Sequence, residues 1–194
     1  MKKPIYAVLL LSLFLVGCAG SSAHMRDVPD GRDTFAPETG KALVVFMRPS
    51  GMGFAVQSSV FDITSGEPDL VGIVSAKTKV AYSTDPGQHR FMVIGESADF
   101  MDANVQEGLT YYSLVTPRMG FWKARFSLKP VHKAELGMDQ FAEWFADTRW
   151  VENTQESGKW AMQNMTSIKT KQADYLPKWL DKPDKPILVP DDGQ

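Results

Sequence analysis

The sequence predicts a mainly β fold, an antiparallel β-sandwich of about eight strands with a short C-terminal helical appendage. Between residues 41 and 131, β-branched and aromatic runs alternate with turn residues. Their spacing of roughly 8–12 residues is typical of a sandwich or a small barrel. After Pro130 the apolar residues change to helical spacing. No helical pattern of about ten residues separates the runs, which disfavours a parallel βαβ architecture.

The predicted strands follow one another with turn signals between them. They are the runs ALVVFMR, FAVQSSVFDI, LVGIVSA, KVAYST, HRFMVIG, DANVQE, TYYSLVT and FWKARFSL. Proline and glycine mark the turns, as in RPSGMG after the first run and DPGQ before the fifth. Because side chains alternate across a strand, Phe91 and Val93 should lie on one face of the fifth run, and Arg90 and Met92 on the other.

Two helices are predicted in residues 132–180, after the last strand. Residues 138–151 place four side chains at the i, i+3, i+4 and i+7 positions of one helical face: Phe141, Trp144, Phe145 and Thr148. A second helix is predicted over residues 153–175. It should end before Pro177, because proline removes a backbone donor and clashes with the preceding turn.

The helical part also carries four of the five tryptophans of the chain, at positions 144, 150, 160 and 179. Aromatic side chains at helical spacing usually belong to a core, so we expect these helices to pack on the sandwich. The alternative is a surface for a partner or a membrane. Residues 181–194 contain three prolines and should form an extended, solvated tail. A second possibility for this tail is that Ile187-Leu188-Val189 adds as a strand to a neighbour.

The N-terminus predicts a lipoprotein signal over residues 1–17. Two lysines precede an apolar run of 12 residues, which is too short for the roughly 20 that a spanning helix needs. The segment LVGCAG places Cys18, the only cysteine, at the expected cleavage site and resembles a bacterial lipobox. The resemblance implies diacylglycerol on the Cys18 thiol and acylation of its amine, and two or three chains suffice for stable anchoring. By resemblance to the lipoprotein sorting rule, Ala19 rather than Asp after the cysteine implies the outer membrane, with the domain facing the periplasm. A coincidental cysteine in an ordinary signal peptide is the alternative.

The lipidated cysteine would be followed by a flexible tether, because residues 18–40 are rich in Gly, Ser, Asp and Pro without periodicity. The folded part should therefore begin near Lys41, with the sandwich over residues 41–131. Without the signal, 19 basic and 23 acidic residues remain. This balance offers no electrostatic footprint for nucleic acid. A single cysteine also excludes an intrachain disulfide.

Four segments of the predicted sandwich, ALVVFMRPSGMGF, PGQHRF, VQEGLTYYSLV and MGFWKARFSL, resemble an uncharacterised domain family of bacterial envelope lipoproteins. The shared marks are an apolar strand ending in Arg-Pro, a Pro-Gly turn, and a Gly-x-Thr-Tyr-Tyr segment formed here by Gly108, Thr110, Tyr111 and Tyr112. The resemblance covers residues 41–131 and contains no catalytic signature. It implies an envelope location and a fold, and it leaves the activity open.

Familiar catalytic and metal-binding patterns are missing from the sequence, so no cofactor and no metal are expected. The histidines His24, His89 and His132 lack ligand spacing. The segment GESAD ends in Asp where a serine hydrolase requires Gly, and Cys18 is used by the anchor. An enzyme of unrecognised type would need a buried cluster of acidic and basic side chains, drawn from Asp99, Asp102, His89 and Arg90.

Two loops with Arg, Met-Gly and an aromatic residue in similar order suggest a ligand site. If both lie at one end of the sandwich, Arg48, Phe54, Arg118, Phe121 and Trp122 would form a cationic aromatic rim for an acidic or glycan ligand. The leading hypothesis is a non-enzymatic, lipid-anchored interaction or structural module that meets an envelope protein or glycan. A small-ligand or glycan sensor using these loops is the first alternative, and an unrecognised enzyme is the second.

Overall fold

The computed structural model describes residues 23–29, 35–118 and 125–194. These residues form eleven strands, three α-helices and one 3₁₀ turn. The strands are β1 (Met25–Asp27), β2 (Ala42–Arg48), β3 (Ser58–Asp62), β4 (Asp69–Val74), β5 (Thr78–Thr84), β6 (Gly87–Ile94), β7 (Ala98–Val105), β8 (Thr110–Arg118), β9 (Arg125–Val131), β10 (Arg149–Asn153) and β11 (Ile187–Leu188). The helices are α1 (Lys133–Leu136), α2 (Asp139–Ala146) and α3 (Gln155–Leu180), and the 3₁₀ turn is Pro190–Asp192. The fold is mainly β, as predicted.

The strands form two sheets that pack face to face. One sheet has the order β1-β10-β5-β2-β8-β9, and the other has the order β11-β7-β6-β3-β4. Apolar side chains from both sheets fill the space between them. Phe46 of the first sheet meets Phe91 of the second edge to face, with ring centroids 5.0 Å apart. The predicted β-sandwich is confirmed, and Phe91 and Val93 point into its core while Met92 lies on the opposite face.

Both sheets are mixed, whereas the sequence predicted antiparallel pairing. Three strand pairs are parallel: β2 with β8, β10 with β5, and β11 with β7. β2 and β8 become neighbours because β3 and β4 belong to the opposite sheet, and β8 returns in the direction of β2. The spacing of apolar runs shows where strands lie along the chain, but it does not determine which strands pair.

Three strands add to the eight that were predicted, and all three come from segments expected to have other structures. β1 lies within the predicted tether, β10 overlaps the end of the first predicted helix, and β11 lies in the predicted tail. β10 pairs with β5, β1 then adds to β10, and β11 pairs with β7. These additions occupy sheet edges that would otherwise expose unpaired backbone groups.

Helices cover the outer face of each sheet, which explains why β2 is buried along its whole length. Phe141 of α2 packs with Leu43 and Val45 on the six-stranded sheet. Trp179 of α3 packs with Phe100 on the five-stranded sheet. The four tryptophans of the helical part are buried or partly buried in these layers: Trp144, Trp150, Trp160 and Trp179. The predicted packing of the helices on the sandwich is therefore confirmed.

Both predicted helix ends are wrong. α2 ends at Ala146, because the Thr148 hydroxyl donates to carbonyls of its last turn and the chain then enters β10. α3 continues through Pro177 to Leu180, and the indole of Trp179, buried just beyond the proline, holds this last turn on the sheet. No helix in the described residues is long and apolar enough to cross a membrane.

The C-terminal tail is tied to the domain, contrary to the solvated tail that was expected. Leu188 is buried in the core between the sheets. The buried carboxylate of Asp192 accepts a hydrogen bond of 3.1 Å from the backbone of Lys133. The backbones of Gln194 and Thr110 exchange two hydrogen bonds. Ile187 and Leu188 do add as a strand, as the alternative for this tail proposed, but they pair with β7 of the same chain.

Candidate functional site

A groove of about 540 Å³ lies between α3, β11 and the outer face of β6 and β7. Its volume falls in the range of about 300–1,000 Å³ that small-molecule sites occupy. We call it the polar groove, because most of its lining side chains carry polar groups. The lining residues are Ile63, Thr64, Gly66, Gln88, His89, Arg90, Asp102, Ala103, Asn104, Gln172, Leu176 and Ile187.

An ion pair between Arg90 and Asp102 lies in the wall of the polar groove. The two residues are register partners on β6 and β7, so their side chains stand on the same outer face of the sheet. Arg90 binds the carboxylate with both arms of its guanidinium, with Nε–Oδ1 at 2.7 Å and Nη2–Oδ2 at 3.2 Å. The guanidinium carbon also lies 5.3 Å from the ring centroid of Trp179. These contacts fix the orientation of a half-buried, planar, charged pair.

His89 lies at the inner side of the same groove, and both of its ring nitrogens have acceptors. Nδ1 lies 3.0 Å from the Asp62 carboxylate, and Nε2 lies 2.8 Å from the backbone carbonyl of Asp85. Two acceptors favour the doubly protonated ring, and the hydrogen bond to Asp62 accordingly raises the pKa of His89. A histidine whose two nitrogens both donate has no free lone pair for general base chemistry.

Asp62 is the centre of this hydrogen-bond network. Its carboxylate accepts from His89 and from the hydroxyl and backbone of Thr64. Burial alone would raise the pKa of Asp62, but the hydrogen bonds from His89 and Thr64 outweigh it and lower the pKa. Burial and the nearby Asp62 charge raise the pKa of Tyr82, so this phenol stays neutral. The network holds the loop after β3 against the start of β6.

Three carboxamide side chains complete the polar lining of the groove. Gln88 and Asn104 are register partners on β6 and β7, and Gln172 extends from α3. The Gln172 side chain donates a hydrogen bond of 3.1 Å to the carbonyl of Gly66, which places it against the loop after β3. Carboxamides both donate and accept, so together with the ion pair they can bind hydroxyl and amide groups of a ligand.

The structure brings together three of the four residues named for an unrecognised enzyme. His89, Arg90 and Asp102 share the polar groove, whereas Asp99 lies in a separate cleft. Their separation follows from β7, in which Asp99 and Asp102 are three residues apart and therefore differ in position and face. Within the groove, His89 is engaged on both ring nitrogens and the Asp102 carboxylate by Arg90.

Arg48, predicted to belong to a ligand-binding rim, is instead a buried residue that organises its own loop. Its guanidinium donates to the carbonyls of Val56 at 2.7 Å, Met52 at 2.8 Å and Gly53 at 2.8 Å. It also lies 4.6 Å above the ring of Phe126. Burial lowers the pKa of Arg48 to about 10. The prediction of Arg48 as a rim residue is wrong, because the side chain is buried and its contacts hold the guanidinium inside the fold.

The remaining rim residues divide between the surface and the part of the chain outside the described residues. β2 and β8 are adjacent and parallel, so the loops that follow them leave the same end of the sandwich, as the hypothesis required. Phe54 is exposed at that end. Arg118 is half exposed and binds Asp99 rather than facing Arg48. Phe121 and Trp122 lie outside the described residues.

Sequence reasoning missed most of the groove. Gln88, Asn104, Gln172 and Ile187 come from four different elements, and none of them belongs to a recognisable motif. One signal was available: the alternation along the strand placed Arg90 on the face opposite Phe91 and Val93, and a charged side chain on a strand face favours a partner of opposite charge. The pairing of β6 with β7, which supplies Asp102 as that partner, was not predictable from the run lengths.

Comparison with known protein families and curated proteins suggests no function for this chain. No model of a known protein family matches the chain, and no curated protein matches it. Among the described residues, no group of three or more His, Cys, Asp and Glu side chains is arranged to hold a metal ion. Cys18, the predicted lipidation site, lies outside the described residues.

Proposed function

We propose that this protein is a non-enzymatic, lipid-anchored binding module of the bacterial envelope, and that its polar groove takes a small, hydroxyl-rich ligand such as a saccharide. The proposed class of ligand rests on one observation, the bidentate ion pair of Arg90 and Asp102 in a groove of about 540 Å³. Anchoring through Cys18 is supported by the lipobox-like segment LVGCAG.

The chemistry of the lining favours a neutral polar ligand. The opposite charges of Arg90 and Asp102 cancel within the groove, and the pair retains donors and acceptors beyond the two bonds that join it. Neighbouring hydroxyls of a sugar can bind such a pair and the carboxamides beside it. Leu176 and Ile187 provide an apolar surface for the C–H groups of a ring.

The test is a thermal-shift screen of the soluble Cys18→Ala form with a panel of neutral mono- and disaccharides. A ligand at about 100 times its Kd should stabilise the domain by about 2.7 kcal/mol. For a chain of this size, that corresponds to a rise in Tm of about 5–11 °C. Gln172→Ala should remove most of the shift. The matched control is Gln163→Ala, the same change on the same helix at an exposed position outside the groove.

Two results would count against this function. One is the absence of any saturable shift across the panel. The other is an equal loss of shift in Gln172→Ala and Gln163→Ala, which would place the binding elsewhere.

A second candidate function, docking of an envelope protein, is supported by the loop that Arg48 organises. Met52 and Phe54 are exposed on this loop although the buried guanidinium holds its backbone. A rigid loop loses little entropy when it binds, which favours recognition by its exposed apolar side chains. Copurification from membranes in mild detergent, with Phe54→Ser and the exposed control Met138→Ser, tests this function. Loss of a stoichiometric partner in Phe54→Ser alone is expected, and an unchanged partner in both variants would refute docking at this loop.

A further inference from the structure

A second cleft, of about 180 Å³, lies beside the C-terminal end of α3 and shares no lining residue with the polar groove. It is bounded by the start of β7, the facing ends of β8 and β9, and the last turn of α3. Four cationic side chains line it together with a single carboxylate: Arg118, Arg125, Lys178, Lys182 and Asp99. The geometry points to a binding site for a phosphoryl group in this cleft, which we call the basic cleft.

The carboxylate of Asp99 cannot balance the charge of the basic cleft. It already accepts from Arg118 at 3.0 Å, from Ser127 at 2.6 Å and from Lys182 at 3.2 Å. Arg125 and Lys178 make no contact with a carboxylate in the described part of the chain. Four cations and one anion leave an excess of positive charge that an anionic ligand would neutralise.

The two arginines place like charges side by side at the edge of the basic cleft. Arg118 and Arg125 are register partners across the antiparallel pair of β8 and β9, and both line the basic cleft. Like charges directly opposite each other on neighbouring strands destabilise a sheet. An anion between the two guanidinium groups would convert this repulsion into two charge-assisted interactions.

Trp179 provides a spectroscopic reporter at the same place. Its indole lines the basic cleft and is buried, and the ring Nε1–H has no hydrogen-bond partner within the described residues. Because Nε1 has no surface open to solvent, a ligand in the basic cleft would lie beside the indole without bonding to it, and the N–H resonance would respond to the nearby charge.

The size and donor arrangement favour a phosphoryl group over other anions. The volume admits a single small group, and donors approach from the ends of β8 and β9, from α3, and from the turn that follows α3. Donors from several directions suit the tetrahedral oxygens and double charge of a phosphate monoester better than a planar carboxylate. The group can be inorganic phosphate, a sugar phosphate or the head group of a lipid.

The inference does not depend on the saccharide proposal, because the two sites share no lining residue. The experiment is a titration of the isotope-labelled Cys18→Ala form with potassium phosphate at constant ionic strength, followed through the indole N–H resonances. The resonance that is absent in Trp179→Phe identifies Trp179. We expect it to shift saturably with phosphate, while those of Trp144 and Trp150, on the opposite face, stay unchanged.

Charge-matched variants distinguish binding in the basic cleft from nonspecific electrostatic attraction of phosphate to the protein. Lys178→Gln should weaken phosphate binding by about tenfold or more, because it removes a charge-assisted hydrogen bond. Lys159→Gln, which removes the same charge from an exposed position on the same helix outside the cleft, should bind as the unaltered chain does. Equal weakening in both variants, or a Trp179 resonance that does not saturate, would overturn the assignment.

Two further titrations identify the source of the phosphoryl group. Glucose 1-phosphate, with glucose as its control, tests for a sugar phosphate. Vesicles of phosphatidylcholine with and without phosphatidic acid test for a lipid head group. Tighter binding of one of these than of inorganic phosphate, lost in Lys178→Gln, assigns the source. Inorganic phosphate remains the ligand if neither binds more tightly.

Discussion

Replacement of Arg48 by methionine should destabilise the domain, whereas the same replacement of Arg118 should not. The Arg48 side chain has no exposed surface and donates three hydrogen bonds to carbonyls of its own loop. The Arg118 side chain is 47% exposed and shares Asp99 with two other donors. Methionine keeps the length and apolar contact of the arginine stem, so the comparison isolates the guanidinium.

The expected magnitudes follow from these contacts. Three hydrogen bonds from a charged donor, at about 1.5 kcal/mol each, give a loss of about 4–5 kcal/mol for Arg48→Met. The buried Nε–H of Arg48 has no partner in the described residues, so its removal returns part of this loss. A net loss of about 2–3 kcal/mol corresponds to a fall in Tm of about 4–12 °C. The exposed ion pair of Arg118 should cost less than about 1 kcal/mol.

Urea unfolding followed by circular dichroism gives both free energies of unfolding. Hydrogen exchange then locates the effect, since the amides of residues 52–56 should lose protection in Arg48→Met and keep it in Arg118→Met. Equal stability of the two variants would refute a structural role for Arg48. Unchanged exchange in the loop would refute the claim that the guanidinium organises it.

Three other variants test the remaining arguments. The pair of His89 and Asp62 should stabilise the fold most between the unfolded pKa values of about 3.8 and 6.5, because folding raises the pKa of His89 and lowers that of Asp62. The free energy of unfolding should therefore fall as the pH rises through the raised pKa of His89. In unfolding curves taken from pH 5 to 9, His89→Gln should remove this fall. A fall that persists in the variant would contradict the contribution of the pair. Leu188→Ala should lower the free energy of unfolding by about 2–5 kcal/mol, because Leu188 is fully buried. The control Ile187→Ala changes a side chain that is 41% exposed and should lower it by less than half as much. Similar losses for both variants in urea unfolding would show that β11 is not part of the core. Cys18→Ala should abolish incorporation of labelled palmitate and release the protein from membranes, whereas the control Ser21→Ala should change neither. Palmitate labelling that survives without Cys18 would rule out the anchor.

Most of the main strands were predictable because each is a local apolar run bounded by turn residues. β2 is an example, since ALVVFMR followed by Pro-Ser-Gly corresponds to Ala42–Arg48 and the loop after it. β7, however, begins at Ala98, four residues before the predicted run DANVQE. The added strands were not predictable from local pattern. β1 has only three residues and one apolar side chain, whereas β11 was foreseen only as the alternative in which Ile187-Leu188-Val189 adds as a strand. They exist because a neighbouring edge offers backbone partners, which is a property of the assembled sheets.

The site residues show the same division between local and long-range information. The sequence marked Arg48 and Arg118 as equivalent, since each precedes a Met-Gly-aromatic loop. The fold makes them different: Arg48 is enclosed by its own loop and by Phe126, whereas Arg118 reaches Asp99 on the opposite sheet. Burial and cross-sheet contacts decide their roles, and neither follows from the order of residues in a loop.

The strand β1 has a consequence for how far the domain could travel from a membrane. Only six residues separate Cys18 from Met25, where pairing with β10 begins. A fully extended chain advances about 3.3–3.6 Å per residue, so an anchor at Cys18 would hold the start of β1 within about 25 Å of the lipid. β1 runs antiparallel to β10, so the chain before Met25 leaves away from the end that carries Phe54. So short a tether would keep the domain in a thin layer at the bilayer surface. Ligands and partners held in the same layer would then meet the domain at a high effective concentration.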